Sequence, residues 1–301
     1  MSKSTKWFLI ILSALAVIAL GFIVVFVVLF SGAGESTETV VSGSGEKIAI
    51  VELKGVIVTS EDVVRQLKKF RDTRNVRAIL LRVDSPGGGV VASQEMYEEV
   101  KKTRDSGKPV VVSMGALAAS GGYYVSCGAS EIVANRGTLT GSIGVISEFL
   151  QLQQAMSKLG VDVKTIKSGK LKDAGSPTRA MNDADEQYFQ GLIDDVHRQF
   201  ISVVENERKL KHEDVVAMAD GRVFTGEQAV LRHLVDTLGT YEDAIRITAN
   251  LVGIKGEPAL IRERHRQSLI QSFMGDAGES LKEIKQELLE RPVMSFRFTQ
   301  P

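Results

Sequence analysis

Met114-Gly-Ala-Leu-Ala-Ala-Ser120-Gly-Gly-Tyr-Tyr124 follows a β-type run, Pro109-Val-Val-Val-Ser113, and is built mostly of small residues. An apolar segment with no charge continues to Cys127, too apolar for a surface helix. Ser120 is the candidate for chemistry. A serine at the start of a buried helix has free backbone N–H groups around it, and the N–H of Gly121 can face a developing oxyanion. Gly121 and Gly122 would let a substrate backbone come close. The competing reading is a core helix whose small residues only permit tight packing.

Two further stretches bear on that choice. Asp84-Ser-Pro-Gly87-Gly88-Gly89 lies between a strand pattern, Ala78 to Val83, and a helical one, Val91 to Lys102. A glycine-rich turn there presents backbone N–H groups, usually to an anion. Gly87 or Gly88 would supply the second oxyanion donor. Phosphate is the competing ligand, but neither Gly-Lys-Ser/Thr nor G-x-G-x-x-G occurs at this turn. The third stretch, Lys164-Thr-Ile-Lys167-Ser-Gly-Lys170-Leu-Lys172-Asp173, offers four lysines, and the residues alone do not choose among them.

Outward from these stretches, strand and helix patterns alternate. Lys47 to Leu53 reads as a strand. Ser60 is placed to cap a helix running to about Thr73, with Val63, Val64, Leu67 and Phe70 on one face. Segments follow at 77–83, 90–104, 109–114, 119–128, 131–134, 143–147, 149–159 and 161–166. Such alternation predicts parallel strands with crossover helices, and a doubly wound sheet would satisfy it. Ala184 to Lys209 is a long helical pattern, with short helices at 213–219 and 241–252. Thr225 with Gln228 makes a capping box. Residues 253–301 read as a charged, solvated tail with an amphipathic helix from Ser280 to Leu289.

The 301 residues carry no formal net charge, so no electrostatic case for nucleic acid exists. Trp7 to Phe30 holds no charged residue. At ~1.5 Å per residue such a helix spans a ~30 Å hydrocarbon core. A cleavable signal peptide has a shorter apolar region of about 7–15 residues, although Ser31-Gly-Ala-Gly34 would suit cleavage. Lys3 and Lys6 precede the run and the first charge after it is Glu35, which puts residues 1–6 in the cytoplasm and the remainder outside. Residues 31–46 read as a flexible tether, and 47–252 as the folded domain. Cys127, alone, reads as a small buried hydrophobe.

Serine is a weak nucleophile until a base takes its proton. The four histidines, His197, His212, His233 and His265, all read as solvated surface residues. A lysine can replace histidine if burial or cationic neighbours keep it neutral.

Gly115 to Tyr124, Leu139-Thr-Gly-Ser-Ile-Gly-Val145, Lys167-Ser-Gly-Lys-Leu-Lys-Asp173 and Ala219-Asp-Gly-Arg-Val-Phe-Thr-Gly226, in this order, resemble the short form of the signal peptide peptidase A family. The resemblance covers roughly Lys47 to Gly239. It implies a membrane-bound serine peptidase with a Ser–Lys dyad, on a Clp-protease/crotonase-like spiral of β-β-α units in the α/β class. It implies Ser120 as nucleophile, Lys172 as base and Ser142 as a supporting hydroxyl. The oxyanion hole would be Gly121 with Gly87 or Gly88, and no cofactor or metal is expected. Substrates would be apolar peptides such as signal peptides. The family's short form assembles into a homo-oligomeric ring in which the lysine reaches a neighbour's serine. Asp84 departs from the pattern, standing where many relatives have Asn. Three alternatives are a peptidase of membrane proteins, a crotonase-type acyl-CoA enzyme and an inactive scaffold.

Overall fold

The computed structural model describes residues 37–43, 45–264 and 295–298, with Trp7, Leu15, Ile18, Leu20 and Gly21. The chain forms two compact units, residues 1–39 with 262–290 and residues 40–261 with 291–301. In the first, Trp7, Leu15, Ile18, Leu20 and Gly21 are helical and exposed. Apart from these five positions, the expected anchor (7–30) lies outside the described residues, as does the amphipathic helix at 280–289. Among the described residues no helix is long and apolar enough to cross a membrane.

The strands are β1 (Thr37–Ser42), β2 (Lys47–Lys54), β3 (Val76–Ser85), β4 (Gly87–Gly89), β5 (Val110–Ala119), β6 (Glu131–Ala134), β7 (Leu139–Gly141), β8 (Val223–Thr225), β9 (Thr237–Leu238), β10 (Ala259–Arg264) and β11 (Ser295–Arg297). The helices are α1 (Glu61–Asp72), α2 (Val90–Asp105), α3 (Gly121–Ser126), α4 (Gln153–Lys158), α5 (Asp183–Arg208), α6 (His212–Val216), α7 (Gly226–Leu231) and α8 (Tyr241–Leu251). Parallel pairing in the order β2-β3-β5-β6-β9 makes this a mixed α/β fold with a largely parallel sheet. β7 pairs with the far end of β5, and β8 runs antiparallel to β7.

Both faces of the sheet are covered, so its strands read as continuous apolar runs. Val51, Ile79, Leu81, Val110 and Val112 point to one face, which α1, α2 and α3 cover through Leu67, Phe70, Met96, Val100 and Tyr123. Ile48, Ile50, Leu80 and Val111 point to the other, against Ala244, Ile245 and Ala249 of α8. Each large side chain so buried contributes about 1.5–3 kcal/mol.

Where the sequence reading fails, the backbone has found another partner or none. β5 continues past Met114 to Ala119 through an irregularity opposite Val83 and Ser85, stabilised by Leu117 N–H donating to Asp84 Oδ1 at 3.1 Å. Ser60 does not cap α1; its hydroxyl donates to Glu95 instead. The expected strands at 143–147 and 161–166 are absent as strands, Ile146 making only an isolated bridge, and the expected helix at 149–159 shrinks to α4. Beyond α4 the 150–172 arm buries too little to hold regular structure: Leu150, Leu159 and Ile166 are 69%, 79% and 91% exposed. The tail is not wholly solvated, because Ile261 and Phe296 are fully buried.

Candidate active site

Ser120 follows β5 and Gly121 begins α3, two residues later than the helical pattern suggests, because Ser120 has φ 53° and ψ −114°. An L-residue pays for positive φ with strain, which persists where the surroundings over-determine it. Here they do. Ser120 N–H donates to the Gly141 carbonyl at 2.7 Å, and the Ser120 carbonyl accepts from Tyr124 N–H at 2.8 Å. The side chain is 1% exposed, and its Oγ has no hydrogen-bond partner among the described residues. A buried, unpaired hydroxyl costs stability, so its retention calls for a functional reason.

The glycines gather around that hydroxyl. A Cβ on Gly121 would lie 2.6 Å from Ser93 Oγ and 3.1 Å from the Gly87 Cα, so α3 packs against the Gly87 turn only because residue 121 has no side chain. Gly87 has φ +91°, and a Cβ there would lie 2.5 Å from the Gly121 nitrogen. The turn read as a loop is strand β4, pinned to Ile57: Ile57 N–H donates to the Gly87 carbonyl at 2.8 Å and Gly89 N–H to the Ile57 carbonyl at 2.7 Å. Gly87 N–H already donates to Ser85 Oγ at 3.1 Å.

Ser142 follows Gly141 at the end of β7, is 6% exposed, and donates its N–H to the Arg222 carbonyl at 2.9 Å. Ser120, Ser142, Gly87, Gly88 and Gly121 are thus brought to one end of the sheet by β3, β5 and β7. Lys172 is not brought within hydrogen-bond reach of Ser120 Oγ. It is exposed in the arm, where its N–H donates to the Gly169 carbonyl at 3.2 Å. Next to it, Asp173 pairs with Arg179 at 3.0 Å and with Lys167; the Arg179 hydrogen bond, then that of Lys167, holds its carboxyl down to about 2.

No hydrogen bond joins a described histidine to this cluster. His197 is half-buried rather than solvated, with Nε2 unpartnered among the described residues. His212 Nδ1 sits 2.5 Å from Glu205, His233 is exposed, and His265 lies outside the described residues. Cys127 is buried, and burial pushes its thiol up to about 12, away from thiolate character. Sequence reasoning missed Ser85, which takes the Gly87 N–H, and strand β11, which lies antiparallel to Gly87–Gly89. A short apolar-basic run, Ser295-Phe-Arg-Phe298, was the only local signal for the latter.

Residues 102–255 match the model of Peptidase family S49. A candidate protease of Synechocystis sp. is 45% identical over 69% of this chain and 76% of its own length. A candidate signal peptide peptidase SppA of Enterococcus faecium is 36% identical over 72% of this chain and 67% of its own. Protease 4 of Salmonella typhi is 35% identical over 84% of this chain, which spans 43% of that longer protein. With a strained, buried serine beside a glycine-lined turn, these matches place the chain in peptidase family S49, and it is a serine peptidase.

Proposed function

We propose that this chain is a membrane-anchored endopeptidase that cuts apolar peptides, signal peptides among them, with Ser120 as nucleophile and Lys172 of a neighbouring copy as base. The observation that carries the shared dyad is the separation just described: Ser120 Oγ is buried without a partner, while Lys172 sits on an exposed arm. That arm exposes Leu150, Leu159, Val161, Val163 and Ile166 together, an apolar surface of the kind that marks a protein contact. A second copy covering it would desolvate the lysine and favour its neutral form.

Neutral Lys172 takes the proton of Ser120, and Oγ attacks the peptide carbonyl carbon. Gly121 N–H and Gly88 N–H stabilise the oxyanion, Gly88 being preferred because Ser85 occupies the N–H of Gly87. Lys172 then protonates the leaving amine, and water, deprotonated by the same amine, releases the acyl group. Ser142 holds the lysine amine from the β7 side. The order β2-β3-β5-β6, with β7 pairing beyond the irregularity in β5, supports the Clp-protease/crotonase-like spiral. The uncharged run 7–30 behind Lys3 and Lys6 supports an anchor with the peptidase domain outside the cytoplasm. The relative named a signal peptide peptidase supports the substrate class.

The test mixes full-length Ser120→Ala and Lys172→Ala chains before assembly and follows hydrolysis of an apolar fluorogenic peptide. Each parent should be inactive and the mixture partly active. Mixed assemblies no more active than either parent would overturn the shared dyad.

A further inference from the structure

Lys172 is followed in the chain by a carboxylate, Asp173, yet it makes no ion pair among the described residues. The next acidic residues in sequence are as far off as Asp162 and Asp183. A free carboxylate beside the lysine would hold its amine charged, and a charged amine cannot take a proton from serine.

The structure gives that carboxylate other partners. Asp173 is 11% exposed in its side chain, and its Oδ1 accepts from Arg179 Nη2 at 3.0 Å and from Lys167 Nζ. Arg179 Nη1 donates in turn to Asp185 Oδ2, and to the Ala180 carbonyl at 2.9 Å. Asp185 is buried in the first turn of α5 and locked by a reciprocal cap. Asn182 N–H donates to Asp185 Oδ2 at 3.2 Å, and Asp185 N–H to Asn182 Oδ1 at 3.1 Å. The charged groups facing Asp173 are thus Arg179 and Lys167, and those facing Arg179 are Asp185 and Asp173. A planar guanidinium can span two carboxylates at once, which a compact ammonium cannot do.

The backbone here is fastened to the same helix. Gly175 has φ +76°, and a Cβ on it would lie 2.7 Å from the Phe149 ring and 3.1 Å from that of Phe189 in α5. Those two rings meet at 4.3 Å between centroids, and Leu152 N–H donates to the Pro177 carbonyl at 2.7 Å. Lys172 therefore stands at the edge of a segment fixed to the start of α5. We propose that Arg179 is the positioning residue of the base: anchored on Asp185, it holds the Asp173 carboxylate away from Lys172, which reaches Ser120 unpaired. This rests on reading Lys172 as the base.

The experiment reads the charge of Lys172 without turnover. Full-length, assembled Ser120→Ala protein is labelled with acetic anhydride across a pH series, and mass spectrometry locates the labelled amine. Arg179→Gln should raise the labelling midpoint of Lys172 by about 1 pH unit. Arg179→Lys, which keeps the charge but not the double reach, should raise it by less. Arg179→Gln with Asp173→Asn should restore the original midpoint, because no carboxylate is left to pair with the amine. A midpoint unmoved in both Arg179 variants, or still raised in the double variant, overturns the positioning role. With Ser120 restored, the acid limb of kcat/KM should move with the midpoint. A midpoint that moves while the limb stays put supports the role of Arg179 and overturns Lys172 as the base.

Discussion

Ser120 and Ser142 leave two paired strands at the same step and with the same backbone turn. β5 and β7 are in register through Ala119 and Gly141, and the next residues have φ 53° and 52°. Both serines are almost fully buried. Two non-glycine residues held side by side in a disfavoured conformation mark this end of the sheet, where the reacting group is proposed.

Strain at Ser120 predicts an unusual order of stabilities. Ser120→Gly and Ser120→Ala should both be inactive. Only glycine relieves the positive φ, so Ser120→Gly should be more stable by about 1 kcal/mol. Urea midpoints with equal slopes check this.

Ser142→Ala should leave the fold intact and lower kcat by about 10²-fold, the lower end for a group assisting proton transfer. The loss should appear in kcat rather than KM. Steady-state kinetics with circular dichroism separates it from unfolding.

Gly88→Ala should drive the β4 backbone away from Ile57, since its Cβ would lie 2.0 Å from the Ile57 carbonyl oxygen. Displacing an oxyanion donor lowers kcat by about 10²–10³-fold. Turnover of an apolar fluorogenic peptide by the assembled protein would show it.

Acid should loosen the segment around Lys172. The Arg179 hydrogen bond, with Lys167, holds the Asp173 carboxyl at about 2, below its unfolded value of ~3.9. A depressed carboxyl contributes stability that is present above the unfolded value and lost as pH falls through the folded one. Hydrogen exchange of residues 167–182 should therefore lose protection between about pH 4 and pH 2. In Arg179→Met that dependence should flatten.

Thr225 and Gln228 form the reciprocal cap expected of them, with bonds of 3.1 and 3.2 Å. Thr225→Ala should cost about 0.5–2 kcal/mol. Ser60 bonds Glu95 instead of its own helix. A double-mutant cycle of Ser60→Ala with Glu95→Ala should then show coupling of about 1 kcal/mol, which a local cap would not. Thermal and urea denaturation check both.

The sequence by itself determined the elements whose burial is encoded locally. Val110 to Val112 had to be an interior strand, Cys127 a buried one-off, and Ser120 a small residue among small residues facing a glycine turn. The family, too, was legible from four short motifs in order. Tertiary structure decided what depends on partners distant in the chain. Ser85 took the N–H of Gly87, Glu95 drew Ser60 away from its helix, and the arm from Leu150 to Lys172 found little among the described residues to bury its apolar side chains. Most of all, Ser295–Arg297 became a strand because Gly87–Gly89 offers an unobstructed backbone edge and Tyr124 and Phe200 offer a ring-sized pocket. Periodicity reports which face of a segment is apolar. It carries no address for the surface that face will meet.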